Sequence, residues 1–153
     1  MKRKIKRFIR FLRPIYWPLV KAYFMYLSPE TRGVKIILTH KGEILFIKNS
    51  YGLKYNLPGG NLGKNEDPKQ GAIREVKEEL GIDIKEPTFL GEVIPLLEFE
   101  YRKNTISVFT VELPNKNISI NNLEVLDFKW LSTDPPSIGH TANQVLEFYK
   151  SVK

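Results

Sequence analysis

Cysteine is absent from the 153 residues. That excludes a disulfide scaffold, a thiolate zinc site, an iron–sulfur cluster and thiol catalysis. Histidine occurs only as His40 and His140, far apart in the chain, so a histidine metal site is not expected and neither residue is given a role. Long apolar runs are also missing. The stretch from Ile15 to Leu27 is broken by Pro18 and Lys21 and falls short of the ~20 residues of a spanning helix. A basic start is followed by no small-x-small cleavage site, so no cleavable signal is expected. With hydrophobic residues at 42%, charged residues at 27% and ten each of Gly and Pro, collagen, mucin and fully disordered chains are excluded. Chemistry must come from carboxylates, Lys and Arg, hydroxyls or backbone.

What is present is unevenly spread. Residues 1–27 carry Lys2, Arg3, Lys4, Lys6, Arg7, Arg10, Arg13 and Lys21, with no acid. Of 24 basic residues these eight leave 16 against 17 acids, so the formal charge of +7 is that of a near-neutral domain with a basic arm. Residues 1–29 are the arm and 30–153 the domain. Ile5, Phe8, Ile9 and Leu12, then Leu19, Val20, Tyr23, Phe24 and Leu27, recur at helical spacing around Pro14 and Pro18. The arm reads as one or two amphipathic helices with three uses. They pack on the domain or on a second copy in a homodimer. They lie on an anionic membrane surface with Tyr16, Trp17 and Tyr23 at headgroup level. Or they contact nucleic acid.

The remaining pattern is that of layered α/β architecture. Val34–Leu38 and Ile44–Ile47, separated by Lys41-Gly42-Glu43, read as a β-hairpin. Their adjacent apolar residues indicate strands covered on both faces, with helices flanking the sheet. Asp67-Pro68 starts a helix, Ala72, Ile73, Val76 and Leu80 form its apolar stripe, and Gly81 ends it. Strands are expected over Phe89–Phe99, Ser107–Leu113 and Val125–Leu131, the first two joined through a Tyr101–Asn104 turn. A last amphipathic helix runs from about Thr141 to Tyr149.

Glu75, Glu78 and Glu79 stand on one face of the first of these helices, at i, i+3 and i+4. Like charges at that spacing cost about 0.2–0.5 kcal/mol each, and anions in the last turns oppose the helix dipole by about 0.3–1 kcal/mol. The plain reading is a solvated acidic face. A bound divalent cation explains the cluster better. With oxygen ligands alone, Mg²⁺ or Mn²⁺ is favoured over Zn²⁺.

The flanking residues sharpen this. Gly60, five residues, Glu66, seven residues, then Arg74-Glu75-Val76-Lys77-Glu78-Glu79-Leu80-Gly81-Ile82 resembles the Nudix box, G-x5-E-x7-R-E-U-x-E-E-x-G-U with U aliphatic, at every defined position. Leu57-Pro58-Gly59 resembles the usual lead-in, and the strand order and Glu124 extend the likeness over about 32–150. Asn61 stands where many relatives have a third glycine, outside the defined pattern.

The resemblance implies a mixed β-sheet between helices, and hydrolysis of nucleoside diphosphates linked to another moiety by water activated by Mg²⁺. It implies that Glu78 and Glu79 are the main metal ligands and Glu75 a further ligand or the base for the attacking water. The Gly60 carbonyl joins the metal shell, Arg74 holds Glu75, and Glu66 pairs with Arg74. The plain alternative for Arg74 and Glu66 is a surface ion pair, of a kind usually worth little. Glu124 resembles a later glutamate that ligates metal or activates water in some relatives, and reads equally as a strand-edge charge. Gly59 and Gly60 let backbone approach phosphates, having no Cβ. Arg32, Lys48, Lys54 and Tyr51 are candidates for gripping substrate, and Tyr101 for stacking a base. Subclass motifs are not found, so the substrate stays open. Two alternatives stand beside the leading reading: removal of pyrophosphate from RNA 5′ ends with the arm holding RNA, and a non-catalytic nucleotide-binding or membrane-docked module. A nucleotide substrate and no cleavable signal point to the cytoplasm, with the membrane surface as the arm's second expected place.

Overall fold

The structure is a computed structural model that describes residues 30–50, 53–95, 104–120, 124–132, 135 and 137–153. The arm at 1–29, Tyr51 and most of the expected 101–104 turn lie outside the described residues. The elements are β1 (Thr31–His40), β2 (Glu43–Asn49), α1 (Pro68–Leu80), β3 (Thr88–Val93), β4 (Asn104–Glu112), β5 (Val125–Leu131) and α2 (His140–Val152). They form a five-stranded mixed sheet in the order β3-β4-β1-β2-β5.

Alternation along the strands feeds two cores. Val34, Ile36, Leu38, Leu45 and Ile47 pack under α1 with Ala72, Val76 and Leu80. Ile37, Phe46 and Val108 point the other way, against Ala142, Val145 and Leu146 of α2. Both sheet faces are covered, as the adjacent apolar residues require. Helix α1 is delimited as expected. The Asp67 side chain accepts from the Gln70 amide, Pro68 opens the first turn, and Gly81 takes a left-handed cap at φ 66°. The expected strand over Phe89–Phe99 begins at Thr88 and runs to Val93, two residues before Pro95, which has no N–H to give a ladder, and its part over 96–99 lies outside the described residues. It does pair antiparallel with β4.

Two features that no local pattern announces shape the site. First, β1 and β4 run parallel over nine residue pairs, from Thr31↔Asn104 to Thr39↔Glu112. Second, β1 and β2 pair only next to their turn, at Thr39↔Ile44 and His40↔Glu43. Lys41 and Gly42 both have positive φ, 49° and 82°, as a two-residue type I′ turn requires. Beyond that point the strands diverge, and the segment 55–62 wedges between them. Towards β1 it receives Ile36 N–H at Pro58 O (3.0 Å) and Val34 N–H at Gly60 O (2.9 Å), and gives Leu62 N–H to Arg32 O (2.9 Å). Towards β2, Asn56 exchanges backbone bonds with Ile47 at 2.8 and 2.9 Å. The wedge satisfies the edges that the parting strands expose.

Candidate active site

The last turns of α1 lie over the wedge. Glu79, 4% exposed, reaches down into it and accepts the Gly59 amide at 2.9 Å and Asn49 Nδ2 at 3.3 Å. Burial pushes its carboxyl up to about 7, with the charge of Glu75 adding to the rise. The Gly59 amide, Lys35 and Asn49 hold it back from rising further. Glu79 is therefore separated from the solvated face that its spacing shares with Glu75 and Glu78.

Glu75 lies over Gly60. A methyl group on that glycine would sit 2.7–2.9 Å from the carboxylate, so the missing Cβ is what admits it. Gly59 is constrained more tightly still, with φ 121° and the place of a Cβ only 2.3 Å from the Val34 carbonyl oxygen. Arg74 organises the outer side. Its Nε and Nη2 grip both oxygens of Glu66 at 2.8 and 3.1 Å. Its Nη1 donates to Glu75 at 2.8 Å and to Glu78 at 2.9 Å, and Nη2 reaches the Asn61 carbonyl at 3.3 Å. Glu66 also accepts the Gly63 amide at 2.6 Å. Arg74 and that amide hold its carboxyl down at about 2, so it is ionised across the working pH range. Glu78 remains 52% exposed.

Seven of the anticipated residues thus meet around one turn and one helix face: Gly59, Gly60, Glu66, Arg74, Glu75, Glu78 and Glu79. Glu124 is exposed just before β5, where its carbonyl accepts the Ser50 amide at 2.8 Å. The next residue, Val125, pairs with Asn49, which bonds Glu79. The Arg32 carbonyl pairs with Leu62 beside the wedge, and its side chain is exposed. Lys54 is also exposed. Lys48 alternates with Ile47 and Asn49, so strand parity puts it on the α2 face, opposite the carboxylates.

Two residues belong to this site that the motif does not contain. Asn49 donates to Glu79 from the end of β2. Lys35, half-buried on β1, reaches the wedge and donates from Nζ to the carbonyls of Leu57 (2.8 Å) and Gly59 (2.9 Å). Burial pushes its pKa down, against the upward pull of Glu79 and Glu75. The available signal was a single charge inside the apolar run Val34–Leu38, at a position where a strand covered on both faces tolerates none without partners.

Among the described residues, no three acidic or histidine side chains are drawn together tightly enough to form a finished metal cage. Arg74 instead holds Glu75 and Glu78. The donor set still fits a hard divalent cation. It is all oxygen, one carboxyl is buried at the cost of a raised pKa, and a second, that of Glu75, lies against the Gly60 backbone where no Cβ keeps it off. Also among the described residues, no helix is long and apolar enough to cross a membrane.

Comparison with known proteins agrees with this geometry. Residues 29–147 match the family model described as the NUDIX domain. An 8-oxo-dGTP diphosphatase from Proteus vulgaris is 40% identical over 65 residues, 42% of this chain and 56% of that protein. An RNA pyrophosphohydrolase from Hydrogenovibrio crunogenus is 31% identical over 71 residues, 46% of this chain and 43% of its own length. The chain thus spans about half the length of these two curated relatives. Among solved structures, the MutT NUDIX hydrolase of Burkholderia pseudomallei superposes with a TM-score of 0.69 at 22% identity, over 78% of this chain and 97% of that one. The NUDIX domain of Shewanella oneidensis NrtR, crystallised with ADP ribose, gives 0.66 at 17% identity, over 85% and 96%. At those identities the structures speak for the fold. The family model covers most of the chain, its box residues converge on one turn, and the sheet is the family's: this chain belongs to the Nudix family.

Proposed function

We propose that the protein hydrolyses a diphosphate bond in a nucleoside diphosphate linked to another moiety. The cofactor is Mg²⁺, with Mn²⁺ able to substitute. The observation that carries this reading is the burial of Glu79 against the Gly59 amide, with its carboxyl raised to about 7 and the Glu75 carboxylate packed over the neighbouring Gly60. Glu78 and Glu79, with the Gly60 carbonyl, would hold the cation, and Glu124 lies one residue from the strand that positions Asn49. Bound there, the ion would neutralise diphosphate charge and acidify water.

The chain's own residues do the rest. Arg74 occupies one oxygen of Glu75 and leaves the other to take a proton from the attacking water. Glu66, ionised at all working pH values, grips Arg74 in two places and so fixes the direction of Glu75. Gly59 and Gly60 let the turn lie close beneath the glutamates, and Arg32, exposed beside the wedge, is the basic candidate placed to meet the phosphates. No covalent nucleophile is needed, which suits a chain without cysteine.

The test is a panel of nucleotide sugars, ADP-ribose, dinucleoside polyphosphates, nucleoside triphosphates including 8-oxo-dGTP, and 5′-triphosphorylated RNA, each with Mg²⁺. Turnover of at least one, lost in EDTA and in Glu79→Gln, is expected. No turnover of any, with the variant indistinguishable from wild type, would refute the proposal and leave a binding module.

A second reading is favoured by the eight basic residues of the arm and the RNA pyrophosphohydrolase relatives. If RNA 5′ ends are the substrate, binding falls steeply with salt, and that dependence shrinks when residues 1–27 are removed.

A further inference from the structure

Lys35 is outside the Nudix box, yet its ammonium bridges two carbonyls of the wedge. Enclosing an ammonium is expensive unless its donors are satisfied and its charge is opposed. Two of its three donors go to the carbonyls of Leu57 and Gly59, on either side of Pro58. The acids whose charge reaches it are Glu79 and Glu75. Gly59 is therefore held from both sides, its carbonyl by Lys35 and its amide by Glu79. The next carbonyl, that of Gly60, is fixed by the Val34 amide, on the strand residue just before Lys35.

We propose that Lys35 is a positioning residue that locks the Leu57–Gly60 turn in the conformation able to receive a divalent cation. It also opposes the charge of Glu75 and Glu79 until that cation arrives. The proposal rests on the metal-dependent reading of the site and adds to it a role for a residue outside the motif.

Sign discriminates it from simple electrostatics. Removing a cation beside a cation site strengthens metal binding if charge is all that matters. If positioning dominates, removal weakens it. We expect Lys35→Cys to lower Mn²⁺ affinity, read by electron paramagnetic resonance on the full chain, by about 10–100-fold, the usual effect of losing a residue that orients ligands. The chain has no other cysteine, so the new thiol can be alkylated uniquely after unfolding. Refolded with an aminoethyl group, which restores an ammonium at nearly the original reach, the protein regains most of that affinity. With a neutral carbamidomethyl group it does not. The amide resonance of Gly59 in EDTA follows the same order.

Equal or tighter Mn²⁺ binding by the neutral adduct, or no recovery with the aminoethyl adduct, overturns the proposal. Absence of Mn²⁺ binding by wild type overturns the metal reading itself, and this proposal with it. Where the neutral adduct refolds poorly, Lys35→Met is made directly, with and without Glu79→Gln. Glu79→Gln raises the melting temperature more in the Lys35→Met background than in wild type if Lys35 serves that acid, and no more than in wild type if it does not.

Discussion

Glu79→Gln is expected to abolish turnover and, without metal, to make the protein more stable at alkaline pH. Burial raises the Glu79 carboxyl from 4.5 to about 7. A group whose pKa is higher folded than unfolded binds more protons in the folded state between those two values. Metal-free stability therefore falls as pH rises from about 4.5 through 7, and levels off above. A shift of that size corresponds to about 3 kcal/mol. The glutamine carries no charge to desolvate, and its amide oxygen can still accept from Gly59. Part of the gain is lost because Lys35 forfeits an opposing charge, so about 1–3 kcal/mol is expected at pH 8 and close to nothing at pH 4.5. For a domain of this size that is several degrees of melting temperature. Thermal unfolding by circular dichroism, in EDTA across pH 4.5–8.5, reads it directly. If Glu79→Gln melts at or below wild type at pH 8 in EDTA, the claim that this carboxylate is held charged against its own stability is wrong.

Mg²⁺ should stabilise wild type more at pH 8 than at pH 5, since only the ionised site binds it. At a hundred times the dissociation constant the gain is about 2.7 kcal/mol, and calorimetric melting with and without the ion would show it. Gly60→Ala puts a methyl 2.7 Å from the Glu75 carboxylate. Its fold should survive, while turnover of the best panel substrate drops at least about tenfold. Gly59→Ala meets the Val34 carbonyl at 2.3 Å and a φ of 121°, so a loss of about 3 kcal/mol or more is expected in urea unfolding. Arg74→Lys keeps the charge but cannot span Glu66, Glu75 and Glu78 together. Its kcat should fall about 10–100-fold with little change in melting temperature.

Much of the fold was legible because its signals are local. The Asp67-Pro68 start and the Gly81 stop of α1 are written within a turn of the residues they affect. The adjacent apolar pairs of β1 and β2 announced a sheet covered on both faces. The box residues were legible as a spacing, and the structure adds how they divide: Glu79 inward, Glu75 over Gly60, Glu78 outward on Arg74. What could not be read joins residues distant in sequence. The parallel ladder between β1 and β4 links Val34 to Ser107, and no periodicity encodes it. Asn49 meets Glu79 only because β1 and β2 part company. Lys48 was one strand position away from that meeting, and parity sent it to the other face. Lys35 was visible as an odd charge in an apolar run, but its partners Leu57 and Gly59 come close only through the wedge.

Where β1 and β2 separate, the protein trades ordinary strand pairing for a crevice floored by peptide groups, and the segment that fills it is stitched to both sides. Such a floor is stiff before any ligand arrives. On the proposed function, an incoming ion or phosphate would meet groups already in position and lose little affinity to freezing them. Damage to the sheet near Ile36 or Ile47 would then surface first as slackened recognition, well before the domain as a whole came apart.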